Sequence, residues 1–302
     1  MTLALIAGQG GVAPHLVRTL LARGEVPLVC EIAQYPSEVV GDLPRLRFRV
    51  ETVGSFLQDL TARGVTRLCI AGALHRPDVD LLRIDAATTP FLPRLQAAQA
   101  RGDDATLREI IAIFEEVGIE VVSPVAIAPD LLPETGLLTG AVPDGGAADL
   151  AAAQAAHAET ARTRAGHAVV VRGGHVVAQE GACGIDTMLR ALATPPEATE
   201  GWTLDPFDLA DQVIGSTADW LSAQDTRQEP TGGILYIAPS LGQDLRAAMP
   251  VIGPETAGHA CKARLSGIVI EAGGVMLLAP ETVCERLAAA DLFLWVRPEG
   301  RG

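Results

Sequence analysis

The side chains able to do chemistry in this chain of 302 residues fall into a few tight groups. The first lies in residues 235–253, where an apolar run opens into a loop holding one acid, Asp244, and one arginine, Arg246, among prolines and glycines. Strand-to-loop segments of this kind are where α/β proteins place binding groups. Asp103 and Asp104 form a second group. Paired carboxylates suit Mg²⁺, which takes oxygen ligands and retains waters, and they equally suit the positive start of a helix. Asp186, two residues after Gly184, invites the same two readings. His75-Arg76-Pro77-Asp78 follows an apolar strand: Arg76 could hold a phosphate through paired hydrogen bonds, or stand exposed in a salt bridge of small worth.

Gly8-x-Gly10-x-x-Ala13 after a strand, with Glu31 ending the next strand, fits a dinucleotide fingerprint. The glycines would bring backbone N–H groups to a pyrophosphate and the acid would meet a ribose hydroxyl. Gly11 and Pro14 alter that turn, and a tight strand-to-helix connection explains the glycines as well. The six histidines show no metal-ligand spacing and the serines no nucleophile elbow, so zinc-protease and serine-hydrolase chemistry are unsupported.

These residues must be positioned by alternating strands and helices. Residues 2–7, 26–31, 67–72 and 119–122 read as buried strands, and 14–23, 53–63, 91–100 and 105–117 as helices. This alternation predicts a parallel, doubly wound sheet. A stretch rich in Pro, Gly, Asp and Thr then separates two domains: 1–133, a linker 134–148, and 149–302. The second half starts with an alanine-rich helix, 147–162. Gly173-Gly174 joins strands 168–172 and 175–179 as a hairpin. Further helices are expected from near Asp186, over 255–263 and over 280–290, with strands at 268–271, 275–278 and 293–296. Residues 195–232 read as an extended insertion.

The totals narrow the partners. A net charge of −14 opposes nucleic acid. Lys262 is the only lysine, so positive charge means arginine, whose fork suits phosphate and carboxylate. Five cysteines without a C-x-x-C pair read as reduced thiols in a cytoplasmic protein. The apolar start is too short for a signal core, and no run reaches the roughly 18 apolar residues of a membrane span. A lipid-bearing substrate at a membrane surface stays open.

In order and spacing the chain resembles the LpxI-type UDP-2,3-diacylglucosamine pyrophosphatases. The marks are Leu5-Ile6-Ala7-Gly8 with Gly10-Gly11 and Pro14; Ala71-Gly72 with Arg76-Pro77-Asp78; and Gly102-Asp103-Asp104. They continue with Asp186 and Met188-Leu189; Gln243-Asp244 with Arg246 and Pro250-Val251-Ile252-Gly253; and Gly267-Ile268-Val269 with Glu271-Ala272-Gly273. The resemblance implies an N-terminal Rossmann-like domain, a C-terminal α/β domain and a substrate cleft between them. It implies Mg²⁺-assisted attack of water on the α-phosphorus of a lipid-linked UDP-sugar, giving UMP and 2,3-diacylglucosamine 1-phosphate, in lipid A synthesis. It also implies peripheral contact at the inner-membrane surface and a homodimer. Carried over residue by residue, Asp244, Arg246 and Asp186 are the catalytic candidates, Gly8, Gly10, Gly11, Arg76, Asp78 and Gln243 would bind substrate, and Asp103 and Asp104 would hold the metal.

The chain also departs from the family pattern. Ile237 and Ser240 stand where the family has lysines, Ala248 where it has an acid linked to catalysis, and Cys183 where it has another acid. Losing a base or metal-organising carboxylate should slow the reaction by orders of magnitude. Three readings follow: an active pyrophosphatase with Asp244 or Asp186 compensating, a weakened homologue that binds a nucleotide-sugar lipid, and a dinucleotide-binding protein resting on the Gly8 loop and Glu31.

Overall fold

The computed structural model describes residues 2–73, 79–143, 145–163, 166–181, 184–193, 231–240 and 242–298. Arg76, Asp78, Cys183 and almost all of the expected 195–232 insertion lie outside the described residues.

The N-terminal half is a five-stranded parallel sheet in the order β3-β2-β1-β4-β5. Its strands are β1 (Thr2–Ala7), β2 (Leu28–Ile32), β3 (Arg45–Phe48), β4 (Val65–Ala71) and β5 (Glu120–Val122). Period-two alternation sends Leu3, Leu5 and Ala7 to one face, under α1 (Val12–Ala22), and Ala4 and Ile6 to the other, under α2 (Val53–Ala62) and α4 (Asp103–Glu116). Both faces are covered, as a parallel sheet requires. α3 (Leu92–Gln99) packs on α4, and the one-turn α5 (Pro124–Ile127), which follows β5, packs beside α1. Strand order reverses between β1 and β4, so the carboxyl ends of these two strands form the switch point where open α/β sheets bind ligands.

Two glycines make that switch point unusually close. The Gln9 N–H donates to the Ala73 carbonyl at 2.9 Å and the Ala73 N–H donates back to Gln9 at 2.9 Å. A Cβ on Gly8 would lie 2.4 Å from the Ala73 oxygen, and one on Gly72, whose φ is +90°, would lie 2.6 Å from the Gln9 oxygen. The first glycine of the fingerprint is therefore explained by the crossing of two backbones.

Glu51 ties three neighbouring loops together from the turn after β3. Its carboxylate is 1% exposed. It accepts from Arg49 (Nη2, 2.9 Å), from Gln34 after β2 (Nε2, 3.5 Å) and from the Asp80 N–H after β4 (3.2 Å). Burial opposes its charge, but the hydrogen bonds from Arg49 and from backbone N–H groups prevail and draw its carboxyl down to about 2.

The C-terminal half is a six-stranded mixed sheet, β6-β13-β11-β9-β7-β8. β9 (Ile234–Ile237), β11 (Gly267–Glu271) and β13 (Phe293–Arg297) run parallel, and β7 (Ala168–Arg172) and β8 (His175–Gln179) form the expected hairpin beside them. Residues 134–148, read as a linker, contribute β6 (Gly136–Thr139), which runs antiparallel to β13. α6 (Gly146–Thr163) covers one face. α7 (Ile185–Ala193) and the helices Pro254–Lys262 and Pro280–Ala288 cover the other. The strand expected over 275–278 does not extend this sheet. Instead β12 (Met276–Leu277) leaves that sheet and pairs in parallel with β10 (Val251–Ile252). Val251, Met276 and Leu278 pack into the N-terminal core, whereas Ile252 and Leu277 belong to the C-terminal core.

Two outcomes test this arrangement. Gly72→Ala should destabilise the protein by roughly 2 kcal/mol or more in urea unfolding, since it adds both a clash and a strained φ. The folded carboxyl of Glu51 lies below its ordinary value of 4.5. Its contribution is therefore complete above that pH and drains as pH falls through about 2. Glu51→Gln should be less stable than wild type at pH 7, and the gap in urea midpoints should shrink steadily between pH 4.5 and pH 2.

Candidate active site

The loop from Ala238 to Gly253 leaves the carboxyl end of β9 and crosses to the N-terminal domain. Its short helix Leu245–Ala248 settles against β4 and β5. Ala247 packs against the core that holds Ile111 and Phe114 of α4, and Met249 packs against the core under α1. The loop thus lies beside the switch point, in the seam between the domains.

One face of α4 receives it. Asp104, Arg108, Ile111 and Glu115 are spaced i, i+4, i+7 and i+11, which places them along one side of a helix. Arg108 binds Asp104 (2.7 Å) and also donates to the Gly242 carbonyl oxygen. Glu115 accepts from Arg246 Nη1 at 2.5 Å. Arg246 turns its remaining donors on Asp244: Nε lies 3.0 and 3.2 Å from the two carboxylate oxygens and Nη2 lies 2.7 Å from Oδ2. The Arg246 N–H also donates to Asp244 Oδ1 at 3.1 Å, making Asp244 the N-cap of the short helix. The Arg246 bonds hold the Asp244 carboxyl below its ordinary range against the opposing effect of burial, and the two acids raise the guanidinium.

Gln243 shapes the loop from inside. Its Oε1 accepts from the Ser240 N–H at 2.9 Å and its Nε2 donates to the Ala248 carbonyl oxygen. That pattern fixes which way the amide faces. Its Nε2 also lies 2.7 Å from His167 Nε2, so the imidazole accepts there and carries its proton on Nδ1, toward Glu180 at 3.7 Å. Gln243 therefore braces the loop in this structure.

The other sequence candidates fall in several places. Asp103 and Asp104 sit inside the first turn of α4, not at its cap, which is Gly102. The Asp104 Oδ1 atom is buried and has no hydrogen-bond partner among the described residues. Asp186 opens α7 in the C-terminal core, and its Oδ1 is likewise buried without a partner there. Among the described residues no hydrogen bond or ion pair joins Asp186 to Asp244 or Asp104. At the glycine loop, Gly10 donates its N–H to Glu38 (3.1 Å), and Gly11 begins α1 with no side-chain cap. Leu278 reaches over from the other domain, to 3.3 Å from where a Gly11 Cβ would be.

Glu31, expected to meet a ribose hydroxyl, is corrected by the structure. It is 2% exposed and spends its oxygens on Ser37 (2.6 Å), Arg45 (2.9 Å) and Arg47 (3.5 Å). Burial works against its charge, and the Ser37 and arginine contacts overcome it, leaving the carboxyl below its ordinary range.

Sequence reading missed Arg108, Glu115 and His167. The helical spacing from Asp104 could have marked the first two. No local signal marks His167, which meets Gln243 across 76 positions. No group of three or more metal-ligating side chains occurs among the described residues. A cleft of about 470 Å³, lined by Gly232, Arg264, Ser266 and Leu292 among others, opens at the amino ends of β9, β11 and β13, away from these groups.

Comparison with known proteins agrees with this architecture. The family model described as the LpxI N-terminal domain matches residues 2–131, and that of the LpxI C-terminal domain matches residues 134–295. The chain is 31% identical over 295 residues to the UDP-2,3-diacylglucosamine pyrophosphatase LpxI of Caulobacter vibrioides, covering 97% of this chain and 96% of the relative.

Removing Arg246 should separate its two roles. Glu115→Ala breaks only the contact between domains, whose partners are 39% and 43% exposed, and should cost under about 1 kcal/mol. Arg246→Ala also strands Asp244, whose side chain is 18% exposed. It should cost more, and NMR titration should show the Asp244 midpoint moving up.

Proposed function

The chain belongs to the LpxI family, and from that premise we propose that it hydrolyses UDP-2,3-diacylglucosamine to UMP and 2,3-diacylglucosamine 1-phosphate, a step of lipid A biosynthesis. Water adds to the α-phosphorus, the bond from that phosphorus to the bridging oxygen breaks, and the sugar leaves with the β-phosphate. The observation that carries this reading is the family match across both domains, with the family's Gln243–Gly253 loop lying in the seam beside the switch point.

The residues divide the work as follows. The uncapped start of α1 at Gly11 offers first-turn N–H groups to a phosphate, next to the Gly8 and Gly10 turn. Arg246 is neutralised by Asp244 and Glu115 in this arrangement, and it would meet a substrate phosphate only by exchanging one of these carboxylates for it. Of the two acids with a catalytic role in this reading, Asp186 keeps an open oxygen to accept a proton, whereas Asp244 is fully engaged by Arg246. Arg76 and Asp78 complete the substrate contacts in this reading.

The donor set suits Mg²⁺ in the manner usual for phosphoryl enzymes, with one or two carboxylates and the rest of the shell from water and substrate oxygens. Asp104, with its buried open oxygen, would hold it, with Asp103 beside it. When bound, the ion neutralises pyrophosphate charge and lowers the pKa of a coordinated water. The acyl chains of this substrate support a working place on the cytoplasmic surface of the inner membrane.

A second reading, a slow homologue that binds the same lipid, is favoured by one feature. Ala248 supplies no carboxylate, and the nearest acid, Asp244, is locked to Arg246. A single assay decides between them. Purified protein with Mg²⁺ and UDP-2,3-diacylglucosamine in detergent micelles should release UMP, and EDTA should stop it. Asp186→Ala should lower kcat by at least about tenfold, and Ala248→Asp should raise it. Binding seen by calorimetry without UMP release above a protein-free blank would establish the second reading instead.

A further inference from the structure

The turn after β4 presents an apolar surface that packing does not explain. Within five residues, Val79 is 52% exposed, Leu81 71% and Leu82 96%. Single exposed leucines are ordinary, but adjacent ones on a short turn are a patch. The turn is also fixed at its base. The Asp80 N–H donates to buried Glu51 at 3.2 Å, and Asp80 turns its own carboxylate inward to accept from the Leu82 N–H (3.0 Å) and Arg83 Nε (3.1 Å). The only acid of the turn is thus spent on its own backbone and on Arg83, while its apolar side chains project outward.

We propose that the Val79–Arg83 turn is a lipid-surface anchor, a rigid apolar tip that enters the acyl boundary of a membrane and holds the switch-point edge of the N-terminal sheet against it. Three observations support lipid as the occupant. Glu51 binds this turn to the loops after β2 and β3, so the tip stands on the carboxyl edge of the sheet, the edge that also carries the Gly8 loop. Arg83, the residue after the two leucines, is 62% exposed along its side chain, and its long stem can reach headgroup level while the leucines sit deeper. The net charge of −14 opposes purely electrostatic adsorption, leaving apolar insertion as the attraction. The choice of lipid rests on the acyl-bearing substrate proposed above.

Sedimentation of the full chain with vesicles of phosphatidylethanolamine and phosphatidylglycerol tests it. Wild type should pellet with the vesicles. Leu81→Asp/Leu82→Asp should reduce partitioning by about a hundredfold, roughly tenfold per leucine removed from the acyl region. Val176→Asp, at a 42% exposed site on β8, should change nothing. UMP release from micellar substrate should be unaltered in the double variant, and release from substrate embedded in vesicles should fall. Equal partitioning of wild type and double variant overturns the proposal. So does a double variant that still binds vesicles but loses activity in micelles, because the leucines would then be holding the substrate's own chains. Vesicle binding does not depend on turnover: loss of binding in a protein that never releases UMP would sustain the anchor and remove the hydrolase reading, and unchanged binding in an active enzyme would do the reverse.

Discussion

Two strands of two residues each hold this molecule together. In β10 and β12, alternate side chains face opposite ways, and here the two directions are two different hydrophobic cores. Val251 and Met276 belong to the N-terminal core, Ile252 and Leu277 to the C-terminal one. The domains therefore share a layer of structure and do not merely touch. The loop carrying Gln243, Asp244 and Arg246 ends in that layer, so its geometry is set by the same packing that joins the halves.

Two carboxylates of the N-terminal half are turned inward. Glu31 and Glu51 are both nearly inaccessible, and each holds arginines from the neighbouring edge strand or the turn after it. Such pairs gain little net stability over apolar packing, but removing one partner is expensive, which makes them good devices for fixing loop positions. The same logic runs through Asp244, Arg246 and Glu115, where one guanidinium joins a loop of one domain to a helix of the other.

Much of the fold was legible because apolar runs and helical periodicity dominate it. β1, β4 and the Gly173-Gly174 hairpin follow directly from residue pattern. β3 was invisible: Arg45-Leu46-Arg47-Phe48 is short, charged and at a sheet edge, so its signal resembles a loop. β10 was hidden for another reason, since two residues carry no period of their own, and although β12 falls within the strand expected over 275–278, its pairing with β10 was not legible. At the site, the nearness of Asp244 and Arg246 is written in the chain, but Glu115, 131 positions away, is not. Glu31 misled because a strand-ending acid has one appearance whether it awaits a ribose or an arginine, while Gly8 fits two roles at once, since a close backbone crossing and a phosphate cradle demand the same missing Cβ.

The shared layer also sets how this protein can be cut and recombined. A division near residue 133 respects the order of the chain but not its packing. An isolated N-terminal piece would lack Met249, Val251, Met276 and Leu278, exposing the apolar floor they cover. The halves are not interchangeable modules. Exchange of either one between relatives must carry the Met249–Leu278 strip that fits its new neighbour, so the two domains are bound to change together over evolutionary time.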